Sequence, residues 1–205
     1  MLETGRIDSR ISTARPTILR LQAVTLAWML VECGVALYSA ITAHSVAVLA
    51  FGADSVVELL SAAIVLLRFL PVPALSEHKA ARLAGGLLYV LAAVVLALAV
   101  GSLLLGVRAR TSPAGIAITI AALLVMPVLA SLKRRESRRT GSRALAADAA
   151  QSATCAWLAL TALAGLAANA LFHIQWLDAV AALIAVPLLI SEARTAWQGQ
   201  SCACC

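Results

Sequence analysis

Apolar residues in this chain come in long runs, and polar residues come in short clusters between them. The runs are about 18 to 28 residues long, each enough to cross the ~30 Å hydrocarbon layer of a bilayer as a helix. They are rich in Leu, Ala and Val and show no strict alternation of apolar and polar positions. That pattern predicts helices rather than the strands of a closed barrel. No other structure spans, because lipid cannot satisfy free backbone groups. Six spans are predicted: Ile18–Thr42, Ser45–Leu67, Ala80–Val107, Ala114–Leu132, Arg143–Leu171 and Trp176–Ser191. Pro71 and Pro73 follow the second span and Pro113 precedes the fourth. Pro127 and Pro187 fall inside the fourth and sixth, where membrane helices tolerate proline.

Composition agrees with the pattern. Of 205 residues, 62% are hydrophobic and 13% charged, whereas a soluble domain is about half apolar and about a quarter charged. Mean hydropathy is +0.94. The expected fold class is therefore all-α, an integral membrane protein built as a bundle of six transmembrane helices. Residues 1–17 are expected to form a basic N-terminal segment, 18–196 the six-helix transmembrane domain, and 197–205 a Cys-rich tail. The first span is long for a secretory leader and Glu32 interrupts it, so cleavage is not expected.

Charge sets the expected orientation. Of the 16 Lys and Arg residues, all but Arg108 and Arg110 fall on one side of a six-span chain, the side that also holds both ends. By the positive-inside bias both termini are cytoplasmic, in a multi-pass plasma or inner membrane protein. The run "LKRRESRRTGSR" belongs to this signal and touches anionic membrane lipid. No separate domain surrounds it, so a nucleic-acid partner is not expected.

The polar residues inside the spans carry the candidate chemistry. Glu32 lies midway along the first span, Asp54 and Glu58 in the second, and Asp148, Gln151 and Cys155 in the fifth. No Lys or Arg lies near the middle of a span, so these acids are expected to have no fixed basic partner. Intramembrane ionisable groups face the bundle interior and mark ion or proton paths. Residues four apart share a helix face. That spacing aligns Asp54 with Glu58 and Gln151 with Cys155, and Asp148 continues the second stripe. Facing each other, the two stripes would make a four-ligand site of the kind zinc and similar metals accept. The structural alternative is protonated acids hydrogen-bonded between helices, with Cys155 as a small apolar filler.

"AHSVAVLAFGADSVVELLSAAIVL", "SRALAADAAQSATCAWLAL" and "WLDAVAALIAVPLLI" resemble the second, fifth and sixth spans of the cation diffusion facilitator family, with Asp178 at the start of the sixth. The resemblance covers the membrane part nearly end to end. It implies a proton-coupled exporter of divalent metals, zinc foremost, with the metal as cargo and no resident cofactor. On resemblance and depth, Glu32 joins the expected ligands Asp54, Glu58, Asp148, Gln151 and Cys155. The chain departs from the family pattern, in which the fifth-span pair is His and Asp and the second-span pair is commonly two Asp. It resembles a divergent subgroup lacking the family's soluble C-terminal domain. The thiol of Cys155 would shift preference toward softer ions.

The tail ends in Cys202, Cys204 and Cys205, an expected soft-metal site on the cytoplasmic side. Cys33 is read as packing, and His44, His78 and His173 as surface groups, since none has a partner at ligand spacing. Gly85 and Gly86 allow close helix approach, and a homodimer contact there is open. The expected function is thus divalent metal efflux by proton antiport with alternating access. The alternative is a membrane metal sensor without transport. An enzyme is not expected: a thiol reaction at Cys155 needs a neighbouring base, and the fifth span holds no His.

Overall fold

The computed structural model describes residues 2–68, 77–106 and 109–198. All regular structure among them is helical. The elements are α1 (Leu2–Ala43), α2 (Val46–Arg68), α3 (Glu77–Leu105), α4 (Pro113–Thr140), α5 (Arg143–Phe172) and α6 (Leu177–Trp197). The tail cysteines Cys202, Cys204 and Cys205 lie outside the described residues. So does the side chain of His78.

Among the described residues, five helical stretches are long and apolar enough to cross a membrane: Pro16–Ala43, Val46–Ile64, Gly85–Leu105, Pro113–Thr140 and Leu145–Phe172. The protein is therefore a membrane-embedded helical protein. α6 is not among the five; Asp178, Glu192 and Arg194 lie within its 21 residues.

Local sequence sets the helix ends. Ser112 caps α4, its hydroxyl accepting from the Gly115 N–H at 3.0 Å, and Pro113 follows at the first helical position, where its missing N–H costs nothing. Gly141 ends α4 at φ 70°, a left-handed conformation that glycine adopts without strain, and donates to the Ser137 carbonyl at 2.8 Å. Ser142 then caps α5. Two residues thus fold α4 back on α5. His44 and Ser45 similarly fold α1 on α2, with His44 at φ 52°.

The helices pack as three close pairs: α4 with α5, α3 with α6, and α1 with α2. Contacts of α1 with α4 and of α2 with α5 join two of these pairs into a four-helix bundle. α2 also touches α3 and α6, which lie to its side. α3 and α6 cross very closely. A Cβ on Gly85 would stand 2.8 Å from the Trp197 amide nitrogen and 2.9 Å from the Ala193 carbonyl oxygen. The small residue is what permits this backbone approach. Outward faces carry Leu104, Ile41, Leu124 and Tyr38, all exposed as lipid-facing residues are.

Candidate functional site

One stripe of each bundle helix turns inward, and the inward positions are polar at three levels. α1 contributes Gln22 and Glu32, α2 contributes Asp54, Ser55 and Glu58, α4 contributes Lys133, and α5 contributes Asp148, Ser152 and Cys155. Each of these nine residues is fully buried.

The level nearest the basic end centres on Lys133. Its ammonium donates to Ser152 Oγ at 2.8 Å and lies 3.1 Å from Asp148 Oδ2 and 3.8 Å from Glu58 Oε1. Gln22 Nε2 also donates to Asp148 Oδ2, at 2.8 Å. The Ser152 hydroxyl donates in turn to Glu58 Oε1. This corrects the expectation that the acids have no fixed basic partner. The fourth span was expected to end at Leu132, but α4 continues to Thr140. Its buried stripe of Ala122, Met126, Leu129 and Ala130 carries on through Lys133, Glu136, Ser137 and Thr140. Lys133 is therefore held on the inward face of a helix.

The middle level centres on Glu32. Its Oε1 accepts from Ser55 Oγ at 2.7 Å and from Cys155 Sγ at 3.4 Å, and its Oε2 accepts from Trp28 Nε1 at 2.6 Å. Asp54 is different. Both of its carboxylate oxygens are buried and meet no hydrogen-bond partner among the described residues. Glu58 lies one turn further along the same face of α2. Oε2 of Glu58 and Oδ1 of Asp148 are also without a partner.

The level farthest from the basic end is a closed knot. Asp178, at the start of α6, accepts from Ser45 Oγ at 2.5 Å, from the Val46 N–H at 2.8 Å and from the Ala47 N–H at 3.4 Å. It caps the first turn of α2 from a neighbouring helix, where a negative charge is favoured.

Of the expected ligands, Glu32, Asp54, Glu58, Asp148 and Cys155 all line the bundle interior. Gln151 is half-buried at the flank and makes no hydrogen bond in this network. At 100° per residue, Ser152 stands about 40° and Cys155 about 20° from the Asp148 direction, while Gln151 stands about 60° away. Ser152 is thus the residue that faces Glu58, and it was missed with Gln22 and Lys133. Among the described residues, no three of His, Cys, Asp and Glu are placed together so that they could hold a metal ion. His44 and His173 are exposed and end their helices in left-handed geometry.

No protein-family model and no curated protein matches the chain. The arrangement itself has definite chemistry. Among the described residues, the buried carboxylates of Glu32, Asp54, Glu58 and Asp148 share the bundle interior with the ammonium of Lys133, which lies 3.8 Å from Glu58 and 3.1 Å from Asp148. Charge cannot remain unbalanced in a low-dielectric interior. An acid in this interior without a basic partner is balanced only by a proton or by a cation from outside.

Proposed function

We propose that this protein carries a divalent transition-metal cation, zinc or a similar ion, out of the cytoplasm in exchange for protons. The observation that carries this reading is Asp54: a carboxylate wholly buried within α2, with no donor on either oxygen among the described residues and with Glu58 one turn away on the same face. A purely structural acid would have gathered donors, as Asp178 has. One that must take up and release a cation is better left without them.

In this reading Asp54, Glu58 and Glu32 supply oxygen ligands and Cys155 a thiol, a mixed set that suits zinc or cadmium better than magnesium. Asp148 stands at the cytoplasmic mouth, held by Lys133 and Gln22. The acids are spread along the axis, so binding draws α1, α2 and α5 together around the cation. Alternating access then follows as a rocking of these helices, with protons taking the same oxygens on the return. α6 makes the sixth crossing, which puts both termini with the basic loops on the cytoplasmic side of the cell membrane.

Purified protein in sealed proteoliposomes tests the proposal. Zinc, cadmium and manganese are offered with an imposed pH gradient while metal and proton movement are followed together. Metal flux driven by an opposing proton gradient is expected. Metal binding without flux would replace the transporter with a sensor, and absence of both would remove the reading.

A further inference from the structure

The basic run at the end of α4 has a setting that a topology signal does not require. Between α4 and α5 lies an open cleft of about 810 Å³. One end is an apolar trough, with Leu123 and Pro127 on the α4 side and Trp157 and Leu160 on the α5 side. Trp157 remains 61% exposed on this face. The other end is lined by Arg134, Arg135, Arg138 and Arg139. All four arginines are exposed. Glu136 pairs with Arg139 at 3.0 Å, which leaves the cluster with a net excess of positive charge.

The dimensions fit one kind of ligand. The trough runs along α4 from Leu123 to Ser131, about 12 Å at 1.5 Å per residue. That is close to one leaflet's share, about 15 Å, of the hydrocarbon layer. The arginines begin one turn further on, at the depth of the headgroups. Guanidinium forks bind phosphate oxygens in pairs and so fix a phosphate in place. We propose that this cleft is a binding site for one anionic glycerophospholipid, its headgroup phosphate held by Arg134 and Arg135 and an acyl chain laid in the trough against Trp157 and Leu160. A soluble anion would have no use for the trough. Diffuse attraction to an anionic surface would need the arginines but no cleft. The site lies on the outside of the bundle, so it does not depend on the proposed transport.

Native mass spectrometry of the full chain, released from nanodiscs of mixed phosphatidylglycerol and phosphatidylcholine, tests it. The wild type is expected to retain one phosphatidylglycerol at least tenfold over phosphatidylcholine. Arg134→Gln with Arg135→Gln should abolish that preference, while Arg6→Gln with Arg10→Gln, which removes the same charge elsewhere, should preserve it. Ala153→Leu, which fills the trough and leaves every arginine in place, should lower retention at least threefold. Thermal midpoints of all variants check that each is folded. Equal loss from either arginine pair would reduce the cleft to diffuse surface charge and overturn the proposal. So would retention unaffected by Ala153→Leu, or displacement of the lipid by millimolar inorganic phosphate.

Discussion

Two buried aspartates, Asp178 and Asp54, sit in the same bundle and are treated in opposite ways. Asp178 is 2% exposed and accepts from a hydroxyl and two backbone N–H groups. Asp54 is fully buried and accepts from nothing. Burying a carboxylate is costly unless donors surround it. The fold meets that requirement at the outer knot and leaves it unmet at mid-helix. The first aspartate ties α6 to the start of α2. The second has no donor on either oxygen among the described residues, which is what the proposed exchange of cation and proton requires. Lys133 forms a third case, a resident cation beside one oxygen each of Asp148 and Glu58.

The sharpest way to break this contrast is to neutralise Asp54. Asp54→Asn keeps the shape and removes the charge, and it should lower metal flux in proteoliposomes at least about 100-fold. Its thermal midpoint in detergent should stay within a few degrees of the wild type, since no native hydrogen bond is lost. Collapse of the midpoint together with the flux would make Asp54 structural and erase the distinction from Asp178.

Lys133→Met should come next. It strands Asp148 and Glu58 without their cation, a loss of about 3–5 kcal/mol when one partner of a buried pair is removed. Adding Asp148→Asn should recover most of that loss, and a double variant no more stable than the single would show that the pair is not coupled. Asp178→Ala should cost less, about 1–3 kcal/mol for orphaned donors, with flux per folded molecule changed by less than about threefold. Denaturation and flux measured on the same preparation separate the two effects. The smallest change is expected at Cys155. Cys155→Ala should reduce cadmium uptake by roughly threefold and leave manganese uptake alone, because a thiol favours the softer ion. Equal changes for both metals would return Cys155 to the role of packing.

The positions of the helices were legible in the sequence because lipid imposes a length and a composition on anything that crosses it. Asp54, Glu58, Asp148, Glu32 and Cys155 were legible for the same reason: a polar residue in an apolar run needs an explanation. Lys133 was not, because it opens a basic run, and such a run reads as a loop on the cytoplasmic side. The signal lay in the spacing. Lys133 stands seven residues after Met126 and continues its stripe. Ser152 and Gln151 were confused because four-residue spacing from Cys155 selects Gln151, whereas four-residue spacing from Asp148 selects Ser152. Only the packing of α2 on α5 decides between those registers. The knot at Asp178 escaped because a cap supplied by another helix has no local signature.

The seat of Lys133 also bears on how the protein is made. Its two nearer partners, Asp148 and Ser152, lie on α5, which leaves the ribosome after α4, while the more distant Glu58 lies on α2. In the proposed orientation, Lys133 is one more cytoplasmic charge anchoring the helix end while α4 is being inserted. Its closest contacts form only once α5 is in place, and the same residue would then change from an address into a fastening. A nascent chain halted before Asp148 should therefore present Lys133 to a water-soluble amine reagent, and the finished chain should conceal it.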